Sequence, residues 1–244
     1  MKILYLMNIK KSEKQKREYF WNRYPQIWSK QVNIYGYGQY QRDLVKLVTR
    51  QKDFLPHNRI LESCIGTGYP IALNLQKNGF HVFGIDIAVS LIRECRRNSS
   101  EIESLVADAE KLPFKDGSFS LTYCFQSSWY LPNIEDAIGE MFRVATQGGI
   151  ICFDIMNRLS PNIIWTLDIP EFKLGLLNLF RAILRKEPRR SENYRTTCSP
   201  KQMGKIIKRF NPSNVTITTP TKLNKLSFSK LDFLSPRLIY ICKK

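Results

Sequence analysis

Four acids and one glycine turn carry the groups in this sequence best suited to chemistry. In "RILESCIGTGYP", Arg59 to Pro70, an apolar run ends at Glu62 and breaks into Gly66 and Gly68, and Pro70 then opens a helical pattern. Small residues at such a turn let the backbone approach a ligand closely, and proline suits the first position of a helix. Asp86 closes the run "FHVFGID", Asp108 follows "SLVA", Phe125 and Gln126 leave "SLTYCFQ", and Asp154 ends "GGIICFD". A dinucleotide fingerprint G-x-G-x-x-G needs glycine at position 71, where Ile71 stands. Glu62 would also set a like charge beside a pyrophosphate. A ligand with cationic ends, an ammonium and a sulfonium, suits that carboxylate better, and S-adenosylmethionine fits the description.

The elements that must position these residues follow from periodicity and punctuation. "YGQYQRDLVKLVTRQ" places Tyr40, Leu44, Leu47 and Val48 at helical spacing. "RILES" reads as a first strand, "PIALNLQKN" as a helix closed by Gly79, and "FHVFGID" as a second strand. An amphipathic helix "VSLIRECRRN" comes next, then strands "SLVAD" and "SLTYCFQ", a helix "IEDAIGEMFRVA" and a fifth strand "GGIICFDIM". Alternating strands and helices imply right-handed crossovers and an α/β, doubly wound, mostly parallel sheet of Rossmann-like type. Such sheets bind ligands at the carboxyl ends of their strands, around the first. The glycine turn and all four acids fall at that edge.

Length and composition bound what surrounds this core. The chain has 244 residues, 43% of them hydrophobic, which suits one domain over 1–244. "MKILYLMNIKKSEKQKR" puts its charges after a short apolar run, unlike an export signal, and no stretch reaches membrane-span length, so the expected compartment is the cytoplasm. The six cysteines lie apart, with no C-x-x-C pair, and read as reduced thiols. His57 and His81 lie near no paired ligand, so no metal is expected. A net charge of +17 draws anions. The stretch from Ser199 to Lys244 has Asp232 as its only acid. Nucleic acid is therefore a candidate partner, against a plainer reading as solvated lysine-rich faces.

The blocks "ILESCIGTG", "VFGIDIAVSLI", "LVADAEKLPFKDGSFSLTYCFQSSWYLP" and "EMFRVATQGGIICFDIMN", followed by "RLIYICKK", resemble the class I S-adenosylmethionine-dependent methyltransferases, in particular the small-molecule branch. A weaker match, "SPKQMGKIIKRFNPSNVTI", precedes the last block. The resemblance implies a seven-stranded sheet whose last strand, "RLIYICK", is antiparallel. It also implies roles. Glu62, with Gly66, Gly68 and their loop, serves the methionine end of the cofactor, and Cys64 takes the place of the family's first glycine. Asp86 accepts from both ribose hydroxyls and Ile87 packs on adenine. Asp108 with Ala109 reads the adenine amino edge, while Phe125 and Gln126 line the methionine portion. Competing readings stand beside these. Asp86 and Asp108 are also placed to cap following helices, the latter a short one at "AEKL"; Phe125 suits a core, and Cys64 suits packing.

The chemistry implied is in-line attack of a substrate lone pair on a sulfonium methyl, for which a base is optional. Tyr130, at a place where relatives often carry histidine, and Asp154 are the candidate substrate-contacting residues, with ordinary polar roles as the alternative. His81 reads as a buried structural histidine and His57 lies at the wrong end of the sheet. Two additions to the core are expected to choose the substrate: an aromatic-rich helical lid over residues 1–50, and an insertion at 158–198 whose helix "EFKLGLLNLFRAILRK" forms a cap or lies on a membrane surface. Three functions follow: methylation of an oxygen or nitrogen of a small molecule, methylation of RNA or tRNA, and cofactor binding without catalysis. The absence of an N-P-P-Y-like tetrad at "FQSSW" weakens the second.

Overall fold

The computed structural model describes residues 12–23, 38–160, 196–220 and 235–244. Six α-helices are described: α1 (Glu13–Arg23), α2 (Gln39–Thr49), α3 (Ile71–Lys77), α4 (Val89–Asn98), α5 (Ile134–Val144) and α6 (Pro200–Lys208). The strands are β1 (Arg59–Ser63), β2 (His81–Asp86), β3 (Glu103–Val106), β4 (Phe119–Cys124), β5 (Ala145–Asn157), β6 (Thr197–Cys198), β7 (Asn214–Thr218) and β8 (Arg237–Lys243). They form one sheet of order β3-β2-β1-β4-β5-β8-β7, with the two-residue β6 paired to the end of β5. All pairings are parallel except those of β8, which runs antiparallel to β5 and β7. The seven-strand path and the antiparallel "RLIYICK" are as expected.

Alternation along the strands builds the two apolar layers. Leu61, Ile151 and Leu238 face one cluster with Met141 and Phe142 of α5, whereas their neighbours Ile60, Ile150 and Ile239 face another with Leu44, Leu47, Leu75 and Ile92 of α2, α3 and α4. Successive strand side chains point to opposite faces, so strands covered on both sides read as unbroken apolar runs. All six residues of β4 are buried. Close backbone packing at the start of β5 explains Gly149: a Cβ there would lie 2.8 Å from the Thr146 carbonyl oxygen and 2.9 Å from that of Ser120. Helix α6 begins with the Ser199–Gln202 capping box that "SPKQ" encodes.

Two expectations change. "AEKL" forms a turn, not a helix: the Lys111 N–H reaches the Asp108 carbonyl at 3.1 Å, and Asp108 Oδ1 accepts from Glu110 N–H. His81 is exposed at the start of β2, where Nε2 lies 2.7 Å from Glu103 Oε1, because the first residues of β1, β2 and β3 face solvent. Of the expected lid, α2 belongs to the core layer through Leu44, Leu47 and Val48, while α1 packs on α4. The cap helix within 158–198 lies outside the described residues, as do Tyr24, Trp28, Tyr35 and Tyr37. Among the described residues no helix is long and apolar enough to cross a membrane.

Candidate active site

At the carboxyl edge, β1, β2 and β4 run out into loops that surround one cleft of about 1000 Å3, counting the part open to solvent. Glu62, Cys64, Gly66, Gly68, Asp86, Ile87, Asp108, Ala109, Phe125 and Tyr130 all line it; Asp154 does not. The glycine loop is tied to the neighbouring strand by Asp86. Gly66 N–H donates to Asp86 Oδ2 at 3.0 Å and Ala88 N–H to Oδ1 at 2.9 Å. The second bond is a local turn just ahead of α4, whose own cap position, Ala88, has no side-chain cap. Gly66 and Gly68 have φ of +58° and +73°, which glycine adopts without strain. Cys64 also has a positive φ, +64°. Left-handed backbone costs an ordinary residue about 1–2 kcal/mol, a physical reason for the glycine that the resemblance implies at that place.

The carboxylates are held in an unusual state. Glu62 is buried at the base of the cleft, and burial pushes its carboxyl up to about 8 although the Tyr123 hydroxyl donates to Oε2 at 2.9 Å. Burial likewise pushes Asp86 up to about 6, against the pull of its backbone donors. Desolvation disfavours a buried anion until a cation or further donors arrive. Asp108, nearer the mouth, is paired with Lys14 of α1. Phe125 both lines the cleft and sits in the core, its ring 5.4 Å from that of Tyr123.

Helix α1 forms one wall. Lys14, Arg17 and Trp21 recur at helical spacing and all face the cleft. The Trp21 ring meets Tyr130 edge-on at 5.1 Å, and Asn22 Oδ1 accepts from Ser90 N–H at 3.1 Å. Trp21 falls within the aromatic-rich lid expected over residues 1–50, whereas sequence reasoning missed Lys14 and Arg17. Their spacing with Trp21 was the available signal. It also missed Tyr123, the partner of Glu62, which reads simply as a strand residue.

Residues 61–153 match the family model described as a methyltransferase domain, and the sheet order and antiparallel β8 are those of the class I fold. The chain has the fold of the class I S-adenosylmethionine-dependent methyltransferases, and its central stretch matches the model of a methyltransferase domain. Over 136 residues it is 27% identical to phosphoethanolamine N-methyltransferase 2 of Caenorhabditis elegans, covering 54% of this chain and 31% of that protein. Over 97 residues it is 36% identical to the demethylmenaquinone methyltransferase of Thermus thermophilus, covering 37% of this chain and 44% of the relative. The chain thus spans less than half the length of these curated relatives. The crystal structure of the magnesium protoporphyrin IX methyltransferase of Synechocystis with bound S-adenosylhomocysteine superposes with a TM-score of 0.63 at 14% identity, over 96% of this chain and 100% of that one. This likeness is one of fold.

The cleft fits S-adenosylmethionine, the cofactor of the methyltransferases that the chain resembles. Two buried carboxyls await partners that favour their charged forms, an ammonium and hydroxyl donors, and the apolar Ile87 and Ala109 suit a purine face.

Proposed function

We propose that this chain transfers a methyl group from S-adenosylmethionine to an oxygen or nitrogen of a small organic molecule. The observation that carries the reading is the single cleft in which Glu62, Asp86 and Asp108, from the ends of three successive strands, share a wall with Trp21, Phe125 and Tyr130. In this reading Asp86 holds the ribose hydroxyls, Ile87 and Ala109 take the adenine faces, Asp108 takes its amino edge, and Glu62 holds the ammonium end.

When bound, the cofactor supplies an electrophilic methyl on a positively charged sulfur. The protein's part is orientation, and holding reactants at near-attack distance is worth about 7–11 kcal/mol. In this reading helix α1 closes one side of the cleft, and the acceptor lies against the paired rings of Trp21 and Tyr130. The Tyr130 hydroxyl is the group proposed to touch the acceptor. The named substrates of the relatives, phosphoethanolamine and demethylmenaquinone, are small organic molecules and support this class.

A second reading, methylation of RNA, draws on the charge of +17. Calorimetry with S-adenosylhomocysteine, followed by transfer of labelled methyl to small-molecule and RNA pools, separates the two. Binding lost in Asp86→Ala together with labelled small molecules supports the proposal. Label in RNA alone, with affinity that falls steeply with salt, sinks it.

A further inference from the structure

We propose that Tyr40, Asp154 and Arg237 form a buried positioning cluster that fixes the loop after β4 as a wall of the cleft. The proposal rests on the reading of that cleft as the methyl-donor site. Asp154 was expected to meet substrate, but its side chain is fully buried and it lies behind the cleft lining. Its carboxylate instead faces two ways. Oδ1 accepts the Gln126 N–H at 2.8 Å, and Oδ2 accepts the Tyr40 hydroxyl at 2.6 Å with Arg237 Nη1 at 3.8 Å.

Gln126 is where the loop turns. Its φ is +59°, a left-handed conformation that a non-glycine residue holds only when its surroundings enforce it. The bond to Asp154 supplies that enforcement from below, and Gln41 Nε2, next to Tyr40 on α2, meets Gln126 Oε1 at 3.3 Å. Two residues on, the Ser128 hydroxyl donates to the Asp154 backbone carbonyl. The next residue, Trp129, stacks on Arg237, whose guanidinium carbon lies 4.5 Å from its ring centroid and 4.9 Å from that of Tyr40. The cluster therefore grips the loop at Gln126, Ser128 and Trp129. The same loop presents Gln126, Ser127, Tyr130 and Leu131 to the cleft.

Each member depends on the others. A buried carboxylate is costly without partners, and Arg237 and Tyr40 are what Asp154 has on the side away from Gln126. Burial and the charge of Asp154 push the Tyr40 hydroxyl well above its usual value, so it stays a donor. Arg237, the first residue of β8, in turn lies between two aromatic faces, where a planar guanidinium is favoured.

Amide hydrogen exchange over Phe125–Tyr130, measured on the ligand-free full chain, tests the cluster directly. Tyr40→Phe and Arg237→Met are expected to speed exchange at Gln126 at least tenfold while protection in β1 and β2 is retained. Affinity for S-adenosylhomocysteine should fall at least fivefold, with Arg237→Lys intermediate. If Arg237→Met does not fold, Tyr40→Phe decides alone. Unchanged exchange at Gln126 in a folded variant overturns the proposal. Failure of the wild type to bind S-adenosylhomocysteine overturns the donor-site reading instead, and the exchange measurement still decides the cluster.

Discussion

Replacing Glu62 with glutamine tests the electrostatics of the cleft most directly. The wild-type carboxyl titrates at 4.5 when exposed and is pushed up to about 8 by burial in the fold. Between those values the folded chain holds a proton that the unfolded chain has released. Stability is therefore greatest below 4.5 and falls as pH rises towards 8, at no more than about 1.4 kcal/mol per pH unit. From pH 6 to pH 8 the loss is about 2 kcal/mol, flattening as 8 is approached. For a chain of this size that lowers the melting temperature by roughly 4–8 °C. Asp86, at about 6, is half titrated where this interval begins and adds only about 0.4 kcal/mol to the loss across it. Thermal unfolding of the ligand-free wild type at pH 6 and pH 8 should show the drop, and Glu62→Gln should remove most of it. Affinity for S-adenosylhomocysteine should rise over the same interval in the wild type, by at most about tenfold per unit, and stay flat in the variant. A wild-type melting temperature independent of pH, or an equal slope in Glu62→Gln, refutes the account.

Asp86→Ala removes the acceptor for Gly66 N–H and Ala88 N–H, so S-adenosylhomocysteine affinity measured by calorimetry should fall by at least tenfold. Cys64→Gly relieves the left-handed backbone at this position and should raise the urea midpoint by an amount equivalent to about 1 kcal/mol. Gly149→Ala forces a methyl against two backbone carbonyl oxygens and should destabilise the chain by about 1–3 kcal/mol in the same assay. Trp21→Ala strips the edge-on contact with Tyr130, and limited proteolysis should then cut α1 faster than in the wild type.

The strands and the acids at their ends that line the cleft were legible because they obey local rules. β1 and β8 are bounded as read, since an apolar run covered on both faces announces itself, and Glu62, Asp86 and Asp108 follow such runs. What escaped was non-local or decided by competition. Tyr40 lies 114 residues from Asp154, and no spacing signals that they meet. The "AEKL" segment has helical composition, but Pro113 follows it and the Asp108 carboxylate captures the Glu110 N–H, so a turn wins. His81 fits the strand pattern, yet the first residue of β2 is left in water.

The place of β8 in the sheet sets an order on assembly. This strand is inserted between β5 and β7, both of which precede it in the chain, and it brings Arg237 to the underside of the cleft. A nascent polypeptide that has emerged only as far as β7 still shows an open hydrogen-bonding edge on β5, a template for mispairing with other chains. Completion of the sheet and consolidation of the catalytic rim therefore wait on the same late-synthesised residues, and a ribosome stalled short of Arg237 would leave both undone.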